Sequence, residues 1–399
     1  MALDIFRERG TPLEAQEHDW RDLVQVPFSK LDDDAFTRVR VILLAGLEQE
    51  ANRFSHACAR MNRDLQLPLA RVRRAEHHQQ TLVAWLNPPD QSPLETTIGY
   101  EQTAIELTAS LAQHEPDPYL KQVLQFGLLE DFDHLYRFAA LMDRVEGRDA
   151  NTILQCYTDI LPGRPTSVEH RAPEDDLREH YDRFTAAPIS KLNALVITAA
   201  ENQVRDYYMN IGPTFADPLA RQLYAEIASI EEQHTTQYEC LVDPRETWLE
   251  KWMLHELSEV YVYASCAKQE SNARIKKIWE RFVDYELGHL HLVMDLFRTI
   301  ERRDPAEIIP PTLPEPIDFA SQRAYIKSVL DNEVDLRARG KVFVPSHQDS
   351  VSSIAYRDRL NRCGSPSERV AAGYRWRPGT ELAPATNGDG RARAKEVQR

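Results

Sequence analysis

Long apolar runs are missing from this sequence. No uninterrupted stretch approaches the roughly 20 apolar residues that cross a bilayer, so no membrane span is expected. Cysteine is sparse, with five residues at 58, 156, 240, 266 and 363, and no two of them form a CxxC pair. That spacing argues against a disulfide framework and against a thiolate zinc site. These cysteines are expected to be small, mostly buried residues in a reducing compartment. Glycine is also scarce, at 14 of 399 residues, which favours helices over tight-turned sheets. Positive charge is in deficit: 48 Lys and Arg face 63 Asp and Glu, for a net charge of -15. No basic face is visible outside the C-terminal tail, so nucleic acid is not an expected partner. The opening MALDIFRERG lacks an apolar h-region, and the expected location is cytoplasmic.

What the sequence does contain is helical periodicity. Apolar residues recur at three- and four-residue spacing from about residue 36 to 302, interrupted by turn clusters at 64–68, 87–90, 114–118, 212–218, 242–244 and 269–272. The expected fold is all-α, with eight main helices in two groups of four and a C-terminal extension. Residues 1–35 read as an N-terminal arm, 36–146 as a first four-helix bundle and 190–302 as a second. Between them, 147–189 reads as a connector making a surface excursion, with at most one short helix. Residues 303–379 form the extension, with a proline-rich strap and one helix expected at 319–340. The last stretch, 380–399, is expected to be disordered.

Three carboxylate–histidine pairs lie three residues apart: Asp131/His134, Glu231/His234 and Glu286/His289. On a helix such residues project from one face a turn apart. A Glu-x-x-His pair can thus present two ligands to one metal cluster. One pair means little in so acidic a chain, but the spacing carries more. Each pair has a Glu 30 residues upstream: Glu101 before Asp131, Glu201 before Glu231 and Glu256 before Glu286. In a helical hairpin, residues equidistant from the turn stand at equal height. The three midpoints fall near 116, 216 and 271, each at a turn signal, and Glu231 and Glu256 are likewise centred beside Asp243-Pro244. Glu201, Glu231, His234, Glu256, Glu286 and His289 are therefore expected at one level of the second bundle. Four carboxylates and two neutral imidazoles would balance two divalent cations, and this donor set suits iron or manganese.

A second regularity is an offset of 155 residues. It carries Glu76 onto Glu231, Glu101 onto Glu256, Asp131 onto Glu286 and His134 onto His289. Gly46 stands where Glu201 does, and Gln79 where His234 does. The pattern reads as a tandem duplication with a complete second copy and a degenerate first, in which Glu101, Asp131 and His134 form a lesser candidate set.

On Glu201, Glu231-Glu232-Gln233-His234, Glu256 and Glu286-Leu287-Gly288-His289, the chain resembles the ferritin-like superfamily of rubrerythrins and di-iron carboxylate proteins. The resemblance implies tandem ferritin-like bundles, a pair of iron ions with manganese as the alternative, and an oxidoreductase that activates O2 or peroxide. No CxxC pair supplies an electron-transfer centre, so an external electron donor is implied. A non-catalytic iron-handling protein and a metal-free helical scaffold are the alternatives. No catalytic side chain is singled out, and assembly as a homodimer is left open. One departure from the family matters. Its members usually have a long crossover between the second and third helices, whereas VDPRET here is short. If the long 147–189 segment is the crossover, Glu101, Asp131 and His134 pair instead with Glu201, Glu231 and His234. His291, Glu232 and Glu259 are expected behind the ligands or at the surface, although Glu259, one turn from Glu256, could join a rearranged site. Tyr207, Tyr208, Tyr261, Tyr263 and Tyr285 flank the ligands, chiefly as packing.

Overall fold

A computed structural model of the chain describes residues 3–375, so the tail at 380–399 lies outside the described residues. The structure is mostly helical. Eight long helices dominate: α1 (Ala35–Met61), α2 (Gln66–Ala84), α3 (Pro93–His114), α4 (Pro118–Glu146), α5 (Pro188–Ile211), α6 (Pro218–Glu239), α7 (Trp248–Gln269) and α8 (Ala273–Ile300). Their starts follow from local chemistry. Asp117 and Asp217 each accept backbone N–H bonds from the first turn of the helix they precede, with proline at the first helical position. Ser92 with Glu95, and Thr247 with Glu250, close reciprocal capping boxes on α3 and α7. Gly147 ends α4 at a φ of 63°, a left-handed conformation that glycine adopts without strain. The 155-residue offset reappears in these bounds: adding it to those of α3 gives 248–269, the bounds of α7.

The helices fall into two compact units that cut across the two sequential groups, 36–146 and 190–302. Unit 1 comprises residues 1–89, 181–199 and 242–319; unit 2 comprises 90–180, 200–241 and the residues from 320 onward. Unit 1 thus takes the hairpins α1–α2 and α7–α8 with the first half of α5. Unit 2 takes α3–α4, the second half of α5 and α6. Each unit draws one hairpin from each half of the chain. The core of unit 2 includes Ile98, Ile105, Leu128, Phe132, Phe138, Tyr208, Leu223 and Tyr224. That of unit 1 includes Leu43, Leu69, Val72, Val260, Trp279, Phe282 and Met294.

Two expectations need correction. The connector 147–189 is not a surface excursion. Arg164, Glu169, His170 and Arg171 are all buried within unit 2. Asp133 of α4 accepts bonds from the backbone N–H groups of Gly163 and Thr166, at 3.1 and 2.7 Å, and ties the segment down. A Cβ on Gly163 would stand 2.2 Å from the Leu129 carbonyl oxygen, so only glycine allows the connector to lie this close to α4. The helix expected at 319–340 is the shorter α9 (Arg323–Glu333). Beyond it, β1 (Leu336–Arg339) pairs antiparallel with β2 (Val342–Pro345) around Gly340, whose φ is 56°. Two further helices, α10 (Val351–Leu360) and α11 (Pro366–Ala371), complete the extension.

Of the five cysteines, Cys58, Cys156 and Cys266 are buried, Cys240 is partly buried and Cys363 is exposed; all are free. No helix among the described residues is long and apolar enough to cross a membrane.

Candidate metal centres

The six residues expected to share one site do not do so. Glu201, Glu231 and His234 belong to unit 2, whereas Glu256, Glu286 and His289 belong to unit 1. The reason is hairpin choice. The hairpin α5–α6 does not pack with α7–α8 into one unit. In unit 2 the partners of Glu201, Glu231 and His234 are the residues of the lesser set, Glu101, Asp131 and His134. This is the pairing in which 147–189 is the crossover.

In unit 2, ligand atoms of Asp131, Glu201, Glu231 and His234 lie within 4.8 Å of one another, as do those of Glu101, His134 and Glu231. Glu231 belongs to both groups and sits between the two imidazoles. His134 Nδ1 is 3.1 Å from its Oε1, and His234 Nδ1 is 3.1 Å from its Oε2. His234 Nδ1 also lies 3.3 Å from Asp131 and 3.7 Å from Glu201. All six side chains are at most 1% exposed. Both oxygens of Asp131, both of Glu201 and one of Glu101 are buried without any hydrogen bond.

The outer nitrogens of the rings are held from behind. His134 Nε2 meets Glu169 Oε2 at 2.9 Å, and His234 Nε2 meets Glu130 Oε2 at 2.7 Å. Glu130 is itself fixed by Arg164 and Arg171. A carboxylate on Nε2 fixes that proton and turns the Nδ1 lone pair inward, the arrangement by which metal-ligating histidines are oriented. Tyr208 donates its hydroxyl to Glu101. None of Glu130, Glu169, Arg164 and Arg171 was singled out from the sequence. Glu130 precedes Asp131 on the helix, and the other three come from the aperiodic connector, where no spacing rule operates.

The electrostatics follow from burial. Burial raises Glu101 and Glu201 well above the ordinary carboxylate range, with neighbouring carboxylates adding to the effect, and it raises Asp131 as well. Glu231 is the exception: against burial, its hydrogen bonds from His134 and His234 hold it near 2. Burial disfavours the charged form of both imidazoles, yet the surrounding carboxylates raise both well above the usual histidine value. Without a cation, protons must serve as the counter-charge. With one, the Nδ1 positions and carboxylates are free to ligate.

Unit 1 has a related cluster. Ligand atoms of Glu76, Glu256 and His289 lie within 4.8 Å of one another, as do those of Glu256, Glu259 and Glu286. The 155-residue offset relates the first trio to Glu231, Glu101 and His134 of unit 2: it carries Glu76 onto Glu231, and Glu101 and His134 onto Glu256 and His289. The other half differs. Gln79 donates to Glu48 Oε1 at 3.1 Å and also to Glu286. Tyr263 donates to Glu48. His289 Nδ1 faces Glu286 Oε2 at 3.0 Å and Glu256 Oε2 at 3.6 Å. Its Nε2 meets Gln16 Oε1 at 2.8 Å, from the N-terminal arm. Glu48, two residues from Gly46, and Gln16 went unnoticed in the sequence because neither obeys the 30-residue ruler. Glu259 joins this cluster, as its position one turn from Glu256 allows.

The donor sets fit divalent cations: carboxylates and neutral imidazoles, no thiolates, and buried carboxylate oxygens with no other partner. No protein-family model, curated protein or solved structure significantly matches the chain.

Proposed function

We propose that Glu101, Asp131, His134, Glu201, Glu231 and His234 of unit 2 hold two divalent metal ions, iron with manganese as the alternative. On this reading the chain is a ferritin-like di-metal carboxylate protein that acts as an oxidoreductase on O2 or peroxide, with electrons from an external donor. The observation that carries the reading is the inward aim of both Nδ1 atoms at Glu231, beside buried oxygens of Glu101, Asp131 and Glu201 that have no hydrogen-bond partner, while Glu169 and Glu130 hold both Nε2 atoms. Four carboxylates match the charge of two dications, and leaving them unneutralised in a low-dielectric core is costly.

When bound, a redox-active pair of this kind would supply electrons to O2 or peroxide. The chain's own contributions are positional. Glu231 belongs to both ligand groups and would serve both ions. Glu169 and Glu130 keep the imidazoles oriented, and the Arg164–Arg171 pair keeps Glu130 ionised, well below the usual carboxylate range despite its burial. Tyr208 orders Glu101 through its hydroxyl. The test is anaerobic loading of metal-free protein with ferrous iron, elemental analysis, and exposure to O2 or peroxide with the iron oxidation state followed optically. His134→Ala and His234→Ala should each lose ions from this centre, and His289→Ala should leave it intact. If His134→Ala kept the full complement while His289→Ala emptied unit 2, the reading would be wrong.

A further inference from the structure

We propose that unit 1 holds a second, separate metal site, centred on Glu76, Glu256 and His289 and taking a hard divalent cation of the manganese class. This rests on the reading of unit 2 only in so far as the two ligand sets are compared.

The first support is geometric. The trio repeats, residue for residue at the 155-residue offset, the group Glu231, Glu101 and His134, and its ligand atoms converge to the same 4.8 Å. The second support is independent of that clustering. One oxygen of Glu76, one of Glu256 and both of Glu259 are buried with no hydrogen-bond partner, in side chains at most 2% exposed. Such oxygens are costly unless a cation meets them. The third is orientation. Gln16 Oε1 holds His289 Nε2, so the ring's Nδ1 faces Glu256 and Glu286, as the inward nitrogens of unit 2 do.

The site differs from that of unit 2 in its donors. Gln79 takes the position that the offset assigns to His234, and Glu48 and Glu259 add carboxylates that unit 2 lacks at the matching positions, where Gln203 and Ala104 stand. One imidazole among five carboxylates is a harder donor set than two among four, and it shifts preference from iron towards manganese. Gln16 and Ala75, the neighbour of Glu76, line an open cleft of about 900 Å³ between the arm and α2. The arm is seated closely: a Cβ on Gly288 would stand 2.0 Å from the Thr11 carbonyl oxygen. Gln16 also donates to the Thr11 and Tyr285 carbonyls at 2.9 and 3.1 Å.

The experiment is anaerobic titration of the full metal-free chain with Mn2+ alone, read by elemental analysis after desalting. Wild type should bind more than two equivalents. The double variant Glu76→Gln, His289→Gln should lose the excess and retain two. The double variant Glu231→Gln, His234→Gln should retain at least one. A unit 1 variant with wild-type circular dichroism and wild-type stoichiometry would overturn the proposal and leave the reading of unit 2 standing. Wild type that bound only ions lost in the unit 1 variant would do the reverse. Should the variants fail to fold, anomalous diffraction at the manganese edge from Mn2+-soaked wild-type crystals decides. A peak among Glu76, Glu256 and His289 is expected, and no peak there overturns the site.

Discussion

Replacing Glu169 with glutamine removes an ionisable carboxyl from behind one proposed ligand, His134, and leaves the rest of unit 2 in place. Among the carboxylates that hold the imidazoles, Glu169 is the cleaner target. Its Oε2 accepts from His134 Nε2, and its other oxygen has no hydrogen-bond partner. Glu130, by contrast, also neutralises Arg164 and Arg171, so changing it would take a counter-charge from two buried guanidinium groups. In the Glu169→Gln variant the amide oxygen can still accept the Nε2 proton, so ring orientation survives. What is lost is the capacity to carry the negative charge that, once a cation at His134 takes the place of the protons, would make the imidazole a stronger base and a better ligand. Changes of this kind behind a metal-bound histidine weaken binding about 10- to 100-fold, or about 1.4–2.7 kcal/mol. The loss should fall on the ion at His134 and spare the one at His234, whose Nε2 rests on Glu130 at 2.7 Å. Stepwise titration calorimetry of metal-free protein against a competing chelator resolves the two events. One binding step should weaken by at least about tenfold while the other moves by less than about threefold. Equal weakening of both steps, or none in either, would refute the claim that Glu169 acts through His134.

Stability of the metal-free protein should depend on pH with a defined sign. Burial pushes Glu106 up to about 7 and Glu169 up to about 8, so the folded state binds protons that the unfolded chain, with glutamates near 4.3, releases. The stabilisation is complete below that unfolded value and is gone once pH has risen through about 7 to 8; the melting temperature should fall between about pH 4.3 and 8, and more steeply without metal than with it. A metal-free protein that became more stable over that range would contradict the assignment. Arg171→Ala should cost about 3–5 kcal/mol, since it removes one of the two guanidinium partners of the buried Glu130 and unpairs Asp176; a loss below about 1 kcal/mol in urea denaturation would show that Arg171 is dispensable. Gly288→Ala should displace the arm from α8, at about 1–3 kcal/mol for the overpacking, and limited proteolysis should then cut within residues 5–20, where wild type resists.

The helices were legible because their ends are written in single residues. Asp-Pro at 117–118 and at 217–218, and the Ser92–Glu95 and Thr247–Glu250 boxes, set the starts of four of them. The ligand heights were legible for the same reason, since a turn fixed by a cap fixes which residues on either side are level. The residues behind the ligands were not. Glu169, Arg164 and Arg171 lie in a segment with no period, and Gln16 lies in an arm whose seating on α8 depends on a close approach at Gly288. Contacts between such segments and a helix are set by tertiary packing, to which periodicity is blind. The hairpin at 336–345 was obscured because the residues before Gly340 carry no strand signal of their own and are ordered by pairing with Val342–Pro345.

The choice of partner hairpin was the deeper ambiguity, and the 155-residue offset explains it. A ruler that matches heights within a hairpin says nothing about which second hairpin stands beside it. When the chain carries the same hairpin pattern twice, 155 residues apart, every pairing of a first-type with a second-type hairpin satisfies the ruler equally. Chain connectivity then decides. The segment between α4 and α5 is long enough to run along unit 2, bury Glu169 and Arg171 there, and return. The VDPRET link between α6 and α7 is short and ordered by Asp243, which accepts from the backbone and side chain of Arg245. The long connector therefore does two jobs. It lets α3–α4 meet α6, and it supplies the carboxylate behind His134. Unit 1 receives no such segment, and there the equivalent imidazole, His289, is held instead by the neutral Gln16 of the arm. A carboxylate behind one histidine and an amide behind its counterpart make the first the stronger ligand. The two proposed centres would thus be tuned apart by segments that the 155-residue offset does not relate.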